Sequence, residues 1–386
     1  MSGIQIKIHE ICISKNLPFA TFRLPGHEHP TTYIQTSREQ LTWDRVGEIS
    51  GQKGFIMAPF DTGNGKRYIL IRPDLVTDHG SLTPATVRTL SDLDPHDPPV
   101  WEEEHFPVVT GRETYMNQVE SIKASIATGA FQKAVLSRIR VICGDYISYV
   151  PRMFRTICKK YPDAFTYLFR SGGQFWMGAS PEPLLRLHDG RISTMSLAGT
   201  MPCSEKYMNV NRWTAKEVLE QEYVTRYIHD VLRDFGVRDY RVTSPYVRKA
   251  GNLLHLCTDF NFGVDRISGR LWEFVDAMHP TPAVAGQPKS EAITYIRELE
   301  PHDREYYTGF LGPVSGETDM DLFVNLRCMK IHPGYLSLYT GGGITLDSHS
   351  PAEWDETRWK AESLLRILRI YIKNLDSLNE AQPTYR

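Results

Sequence analysis

The chain has 386 residues and a mass of 44.2 kDa, enough for one large domain or two ordinary ones. Its 44 Lys plus Arg against 46 Asp plus Glu leave a formal charge of -2, so no global basic field directs it to nucleic acid or a membrane surface, and any anion recognition must be local. The start "MSGIQIKIHE" lacks an apolar export core, no run approaches the roughly twenty apolar residues that span a bilayer, and six scattered cysteines without a C-x-x-C pair suit neither a disulfide framework nor a zinc site; a soluble cytoplasmic protein with reduced thiols is expected.

In chain order, the first hundred residues mix strand-like runs ("GFIMAPF", "RYILIRP") with turns, and 91–105 is a polar, proline-broken connector. After Thr110, the residues Tyr115, Val119, Ile122 and Ile126 recur at helical spacing, and "KAVLSRIRVIC" then alternates like a long strand. Further helices are expected at 148–161, 214–235, 269–278, 288–299 and 351–375, with strands at 164–170, 174–178, 183–197, 238–264 and 305–343. Strands dominate, helices intervene irregularly, and neither a repeat nor a strict β-α alternation appears. The pattern favours a single α+β domain with large, mostly antiparallel sheets over a doubly wound fold.

Two helices carry acids on their apolar stripes. In the helix from 214, Val224, Tyr227 and Val231 continue back to Glu220, with Glu217 one turn earlier. In the last helix, Leu364, Ile367 and Tyr371 continue back through Lys360 to Glu356 and Glu353. A carboxylate aimed at a core needs a partner, so these pairs suggest basic neighbours or a hard divalent cation such as magnesium; equally, acids near helix N-termini are favoured by the macrodipole. Ser350, Pro351 and Glu353 also read as an N-cap, a first-turn proline and a capping-box acid.

Gly341, Gly342 and Gly343 follow a strand and offer either an anion-binding backbone or a plain flexible turn. Arg327, on the preceding strand, can pair a carboxylate or stand in solvent. Lys133 shares a strand face with Val135 and Ser137, where burial would make it a base, while Glu182 is held between Pro181 and Pro183 as a fixed acid.

Eight ordered segments, "FQKAVLSR", "MGASPEPLL", "LAGTMP", "KEVLEQEYV", "HPTPAVAGQPK", "EYYTGFLGPV", "LFVNLRCMKI" and "GGGITLDSHSPAEWDETRWKAE", resemble the chorismate-utilising family. That family includes isochorismate synthase, salicylate synthase and the large subunits of anthranilate and aminodeoxychorismate synthase. The resemblance runs over about 112–372, leaving 1–110 as a divergent N-terminal part of the same fold and 373–386 as a tail. It implies two stacked sheets edged by helices with the active site in a cleft between the layers. By position it makes Lys133 the base that activates the nucleophile and Glu182 the acid that protonates the departing C4 hydroxyl. It makes Glu220 and Glu356 magnesium ligands, with Glu217 and Glu353 as direct or water-mediated ligands. Arg327 and Gly341 then grip substrate carboxylates, and Tyr307, Thr200 and His279 line the pocket.

Ala283 stands where ammonia-using relatives typically carry threonine, which resembles the water-using isochorismate synthases; salicylate synthase ranks second and ammonia users third. The expectation is therefore isochorismate synthesis from chorismate with Mg2+, as a monomer or weak homodimer, without a glutaminase subunit, feeding menaquinone synthesis or else a siderophore or salicylate. Two positions depart from the pattern: Gln221 stands where many relatives have histidine, and Lys289 is a residue that ammonia users often keep.

Overall fold

Runs rich in β-branched and aromatic residues fold into two antiparallel sheets of nine and ten strands. The computed structural model describes residues 3–63, 65–78, 81–97, 106–251, 253–267, 269–372 and 375. Among these residues every strand pairing is antiparallel. The helices are α1 (Gly3–Ser14), α2 (Pro84–Asp92), α3 (Arg112–Ala127), α4 (Val150–Lys160), α5 (Ala215–Asp234), α6 (Leu271–Met278), α7 (Lys289–Leu299) and α8 (Ser350–Tyr371).

The nine-stranded sheet has Lys133–Cys143 and Tyr335–Ile344 side by side near one edge, followed by Cys328–His332, Gln174–Ser180, Phe165–Ser171 and strands from the first eighty residues. The ten-stranded sheet centres on Arg191–Pro202, Pro183–His188, Asp319–Val324 and Phe310–Ser315, continuing into Lys53–Ala58. The first hundred residues thus supply strands to both sheets. Aromatic side chains join the layers: Phe165 of one sheet stacks on Phe323 of the other with ring centroids 4.2 Å apart, and Phe22, Phe55 and Phe169 pack around them. Two further apolar clusters seat helices on the outer faces, one beneath α5 and α6, the other beneath α1, α4 and α8.

The helices expected from 3.6-residue periodicity form within a turn of their anticipated limits, although the last stops at Tyr371 rather than at 375. The long strand stretches divide. The 183–197 stretch is a hairpin turning at Asp189 and Gly190, both at positive φ (48° and 71°), the geometry that Asp-Gly favours in a two-residue turn. The 238–264 stretch holds three strands and 305–343 holds four, because turn residues such as Gly316 and Gly334 interrupt the alternation.

Helix α1 had no counterpart in the sequence reading. Its isoleucines alternate as in a strand, yet the buried positions Gln5, Ile8, His9 and Cys12 follow helical spacing. Gln5 donates to Thr32 Oγ1 at 2.6 Å, and His9 Nε2 lies 2.8 Å from Thr21 Oγ1, so strand hydroxyls meet one nitrogen of each of these buried polar side chains. Of the connector at 91–105, residues 91 and 92 close α2 and 98–105 lie outside the described residues, as does the tail 373–386 apart from Leu375.

Because Phe165 is fully buried between the layers, Phe165→Ala is expected to destabilise the fold by about 3–5 kcal/mol in urea unfolding. A cost below about 1 kcal/mol would show that the aromatic stack does not hold the sheets together.

Candidate active site

A cavity of about 70 Å³, space for on the order of five waters, is lined by residues of both sheets and of α5 and α8. Of the expected residues it gathers Lys133, Glu182, Thr200, Glu220, Ala283, Tyr307, Arg327, Gly341 and Glu356. Glu217, Glu353 and His279 are not on its wall.

Helix α5 buries Val224, Ile228 and Val231 on the core, and the same face, followed towards its N-terminus, presents Glu220 and Glu217. Helix α8 likewise buries Leu364, Ile367 and Leu368, and its first turns carry Glu353 and Glu356. Lys216 joins the two helices, with Nζ 2.9 Å from Glu220 Oε1 and 2.9 Å from Glu353 Oε1. Lys360 Nζ stands 2.7 Å from Glu356 Oε1 and donates to the Gly341 carbonyl at 2.8 Å. Both lysines lie four residues from their glutamates, a pairing readable in the sequence but not drawn from it.

Burial raises the Glu353 carboxyl, and Glu356 and Glu220 raise it further against the pull of Lys216. Glu356 is driven up by burial, but Lys360 and Lys216 outweigh that and hold it below the usual range. Glu353 Oε2 is buried without a hydrogen-bond partner. An orphaned carboxylate oxygen among several acids suits a hard cation bound through oxygen, and Glu220, Glu353 and Glu356 are the acids that could hold one. The Glu217 carboxylate instead accepts a hydrogen bond from the N-cap Thr214 hydroxyl.

The capping box expected at 350–353 does not form. His349 is the N-cap, Ser350 is already helical, and the Glu353 side chain turns to Lys216. Arg327 lies between strands rather than on one, at φ 49°; its carbonyl accepts from the Ala179 N–H at 3.1 Å, and its guanidinium has no hydrogen-bond or ion-pair partner among the described residues. His279 faces away from the cavity, its Nε2 3.0 Å from the Pro59 carbonyl, and burial pushes its pKa down to about 4.

The glycine run is neither a turn nor an anion loop. Gly341, Gly342 and Gly343 pair in register with Ser137, Leu136 and Val135 inside the strand Tyr335–Ile344, and none has positive φ. Their lack of side chains makes room: a Cβ on Gly343 would lie 2.5 Å from Glu220 Oε2 and 2.9 Å from Lys133 Cε, and one on Gly341 would lie 2.8 Å from the Leu136 carbonyl.

Lys133 is wholly buried, with Nζ 3.7 Å from Glu220 Oε2, and desolvation lowers its pKa. Desolvation has the opposite sign for Glu182 and raises it to about 8. His255 also lines the cavity and was missed, because both faces of its strand are buried and parity gives no clue. Burial holds it near a pKa of 3, its Nδ1 lies 2.8 Å from the Gly199 carbonyl, and its buried Nε2 has no partner.

Both departures from the family pattern face away from the acids. Gln221 Nε2 is 2.9 Å from each of the Ser196, Thr225 and Thr258 hydroxyls, and Lys289 donates to the His279 carbonyl at 2.7 Å. Because a Cβ on Gly343 would crowd the buried Glu220 and Lys133, Gly343→Ala should reduce turnover by about 100-fold and lower the thermal melt. Unchanged turnover and melting would mean that the strand does not need the space.

Residues 84–369 match the family profile described as chorismate binding enzyme. The "Salicylate biosynthesis isochorismate synthase" of Pseudomonas aeruginosa is 30% identical over 264 residues, covering 67% of this chain and 55% of that protein. "Isochorismate synthase EntC" of Escherichia coli is 30% identical over 265 residues, covering 67% and 68%, and "Anthranilate synthase component 1" of P. aeruginosa is 30% identical over 279 residues, covering 67% and 54%. The match thus spans little more than half of the first of these relatives. Among solved structures, the menaquinone-specific isochorismate synthase MenF of E. coli superposes with a TM-score of 0.74 at 19% identity over 95% of this chain and 91% of that one. Anthranilate synthase component I of Streptococcus pneumoniae gives 0.64 at 19% over 82% and 80%, the same fold. With the profile matched along most of its length, the chain belongs to the chorismate-binding enzyme family.

Proposed function

We propose that this protein is a magnesium-dependent isochorismate synthase that adds water at C2 of chorismate and expels the C4 hydroxyl. One observation carries the reading: Lys133 and Glu182 line the same cavity with pKa values displaced in opposite directions. A lysine pushed down and a glutamic acid pushed up have their titrations moved towards each other, as suits a base and an acid that share one site. Lys133, as the free amine, takes a proton from water as its oxygen bonds to C2. The two conjugated ring double bonds both shift, and Glu182 gives its proton to the departing C4 hydroxyl, which leaves as water. Proton exchange with solvent resets both groups, and the reverse reaction uses them in exchanged roles.

Ala283 on the wall favours water over ammonia, since a methyl group offers no hydrogen bond to hold an amine. Lys289, whose amine is spent on backbone carbonyls, adds nothing to an ammonia reading. Arg327, whose guanidinium lines the cavity without an ion-pair partner among the described residues, would take a substrate carboxylate. Glu220, Glu353 and Glu356 would hold magnesium, which neutralises charge between these acids and a substrate carboxylate. We assign no glutaminase partner, a cytoplasmic setting and menaquinone synthesis as the destination of the product.

Incubation with chorismate and magnesium, without ammonia, should give isochorismate in equilibrium with chorismate, and a chelator should abolish it. Salicylate with pyruvate would identify a salicylate synthase, and conversion only after ammonia is added would overturn the water assignment. Activity should be bell-shaped in pH: Lys133 must lose its proton, so turnover falls on the acid side, and Glu182 must keep its own, so turnover falls as pH rises through about 8. Lys133→Ala and Glu182→Gln should each reduce kcat by roughly 10²–10⁴, and the Gln variant should lose the alkaline limb.

A further inference from the structure

A second, larger cavity of about 340 Å³ adjoins the first and shares Pro181 and Arg327 with its wall. Its lining carries Lys160, Arg248, Lys249 and Arg327 against a single carboxylate, Asp163. Among the described residues none of these four cations has an ion-pair partner; Arg248 directs Nη1 to the Met195 sulfur at 3.0 Å. The half-buried Arg327 guanidinium, which lines both cavities without an ion-pair partner among the described residues, stands at their seam as a charge awaiting an anion.

The walls are built from distant parts of the chain. Lys160 ends α4, while Arg248 and Lys249 come from the strand Tyr246–Ala250 that pairs with Leu253–Gly263. Arg248 is in register with His255, which lines the inner cavity, so it marks the inner limit of the outer one. The hairpin tip at Gly251 closes down on Tyr161, to whose ring a Cβ would approach within 3.4 Å. Beneath, Arg23 accepts no role in the cavity: its Nη atoms bind the Tyr161, Pro162 and His27 carbonyls and hold the 161–164 loop in place.

We propose that this outer cavity is an electropositive antechamber that captures a dicarboxylate anion by one carboxylate and passes it to Arg327. On a protein of net charge -2, such a local cluster is what draws an anion to the cleft. The identity of the anion rests on the function proposed above.

The test reverses charge at two exposed lining residues remote from the acid and base, Lys160→Glu with Lys249→Glu, and compares a control double, Lys7→Glu with Lys53→Glu, elsewhere on the surface. Association of chorismate is followed by stopped-flow fluorescence and turnover by chromatography, across ionic strength. The antechamber double should lose about 10-fold in association rate and kcat/KM at low salt, keep kcat, and recover towards wild type at about 0.5 M salt. The control should change by less than about twofold. Equal losses in both doubles, or a wild-type salt slope in the antechamber double, overturn the proposal. A wild-type protein that binds chorismate with this salt dependence and yields no isochorismate overturns the reaction assignment and leaves the antechamber standing.

Discussion

The site depends on one electrostatic constraint: several carboxylates and lysines share the seam between two helices and a strand, and each is tolerable only because of the others. Lys216 bridges Glu220 to Glu353, Lys360 holds Glu356, and Lys133 leans on Glu220. Removing any one of them would leave an uncompensated charge in a poorly solvated place, at a cost of several kcal/mol. The cluster therefore fixes how α5 and α8 approach each other, and it leaves Glu353 Oε2 as the atom whose needs the protein alone does not meet.

Such an approach requires a strand with no side chains beneath the acids. Gly342 and Gly343 provide that floor, with Glu353 Oε2 3.3 Å from where a Cβ on Gly342 would stand. The glycines weaken the strand, but ten register pairs with Lys133–Cys143 hold it. That pairing also brings Lys133 to the same cavity as the acids, so backbone hydrogen bonding and acid-base chemistry are set by one strand register. The aromatic packing between the sheets then holds Glu182, in the short link from Gln174–Ser180 of one sheet to Pro183–His188 of the other, at the cavity that Lys133 lines.

Desolvation does two jobs with one cause. It favours the free amine of Lys133 and the protonated carboxyl of Glu182, the forms a base and an acid must start from, because burial penalises whichever form carries charge. It also leaves Arg327 short of a counter-charge. Together these features suit a site that accepts an anion and moves protons within it.

The sequence by itself determined the helices with clear 3.6-residue stripes, the antiparallel character of the sheets, and the acids at helix positions 220 and 356, since periodicity places a side chain on a face without knowledge of the partner. Residue types between prolines or at a strand's start likewise marked Glu182 and Lys133. Only the tertiary structure decided the rest. Gln5 and His9 turn into the core because strand hydroxyls 2.6–2.8 Å away receive them. Ser350 lies inside the helix rather than at its cap, and Glu353 pairs with Lys216, distant in sequence, instead of closing a capping box. His279 leaves the site for the Pro59 carbonyl, His255 enters it, and three glycines that read as either an anion-binding backbone or a turn run straight. In each case the deciding partner lies far along the chain, and a polar group's place is set by whichever distant donor, acceptor or charge satisfies it when water is removed.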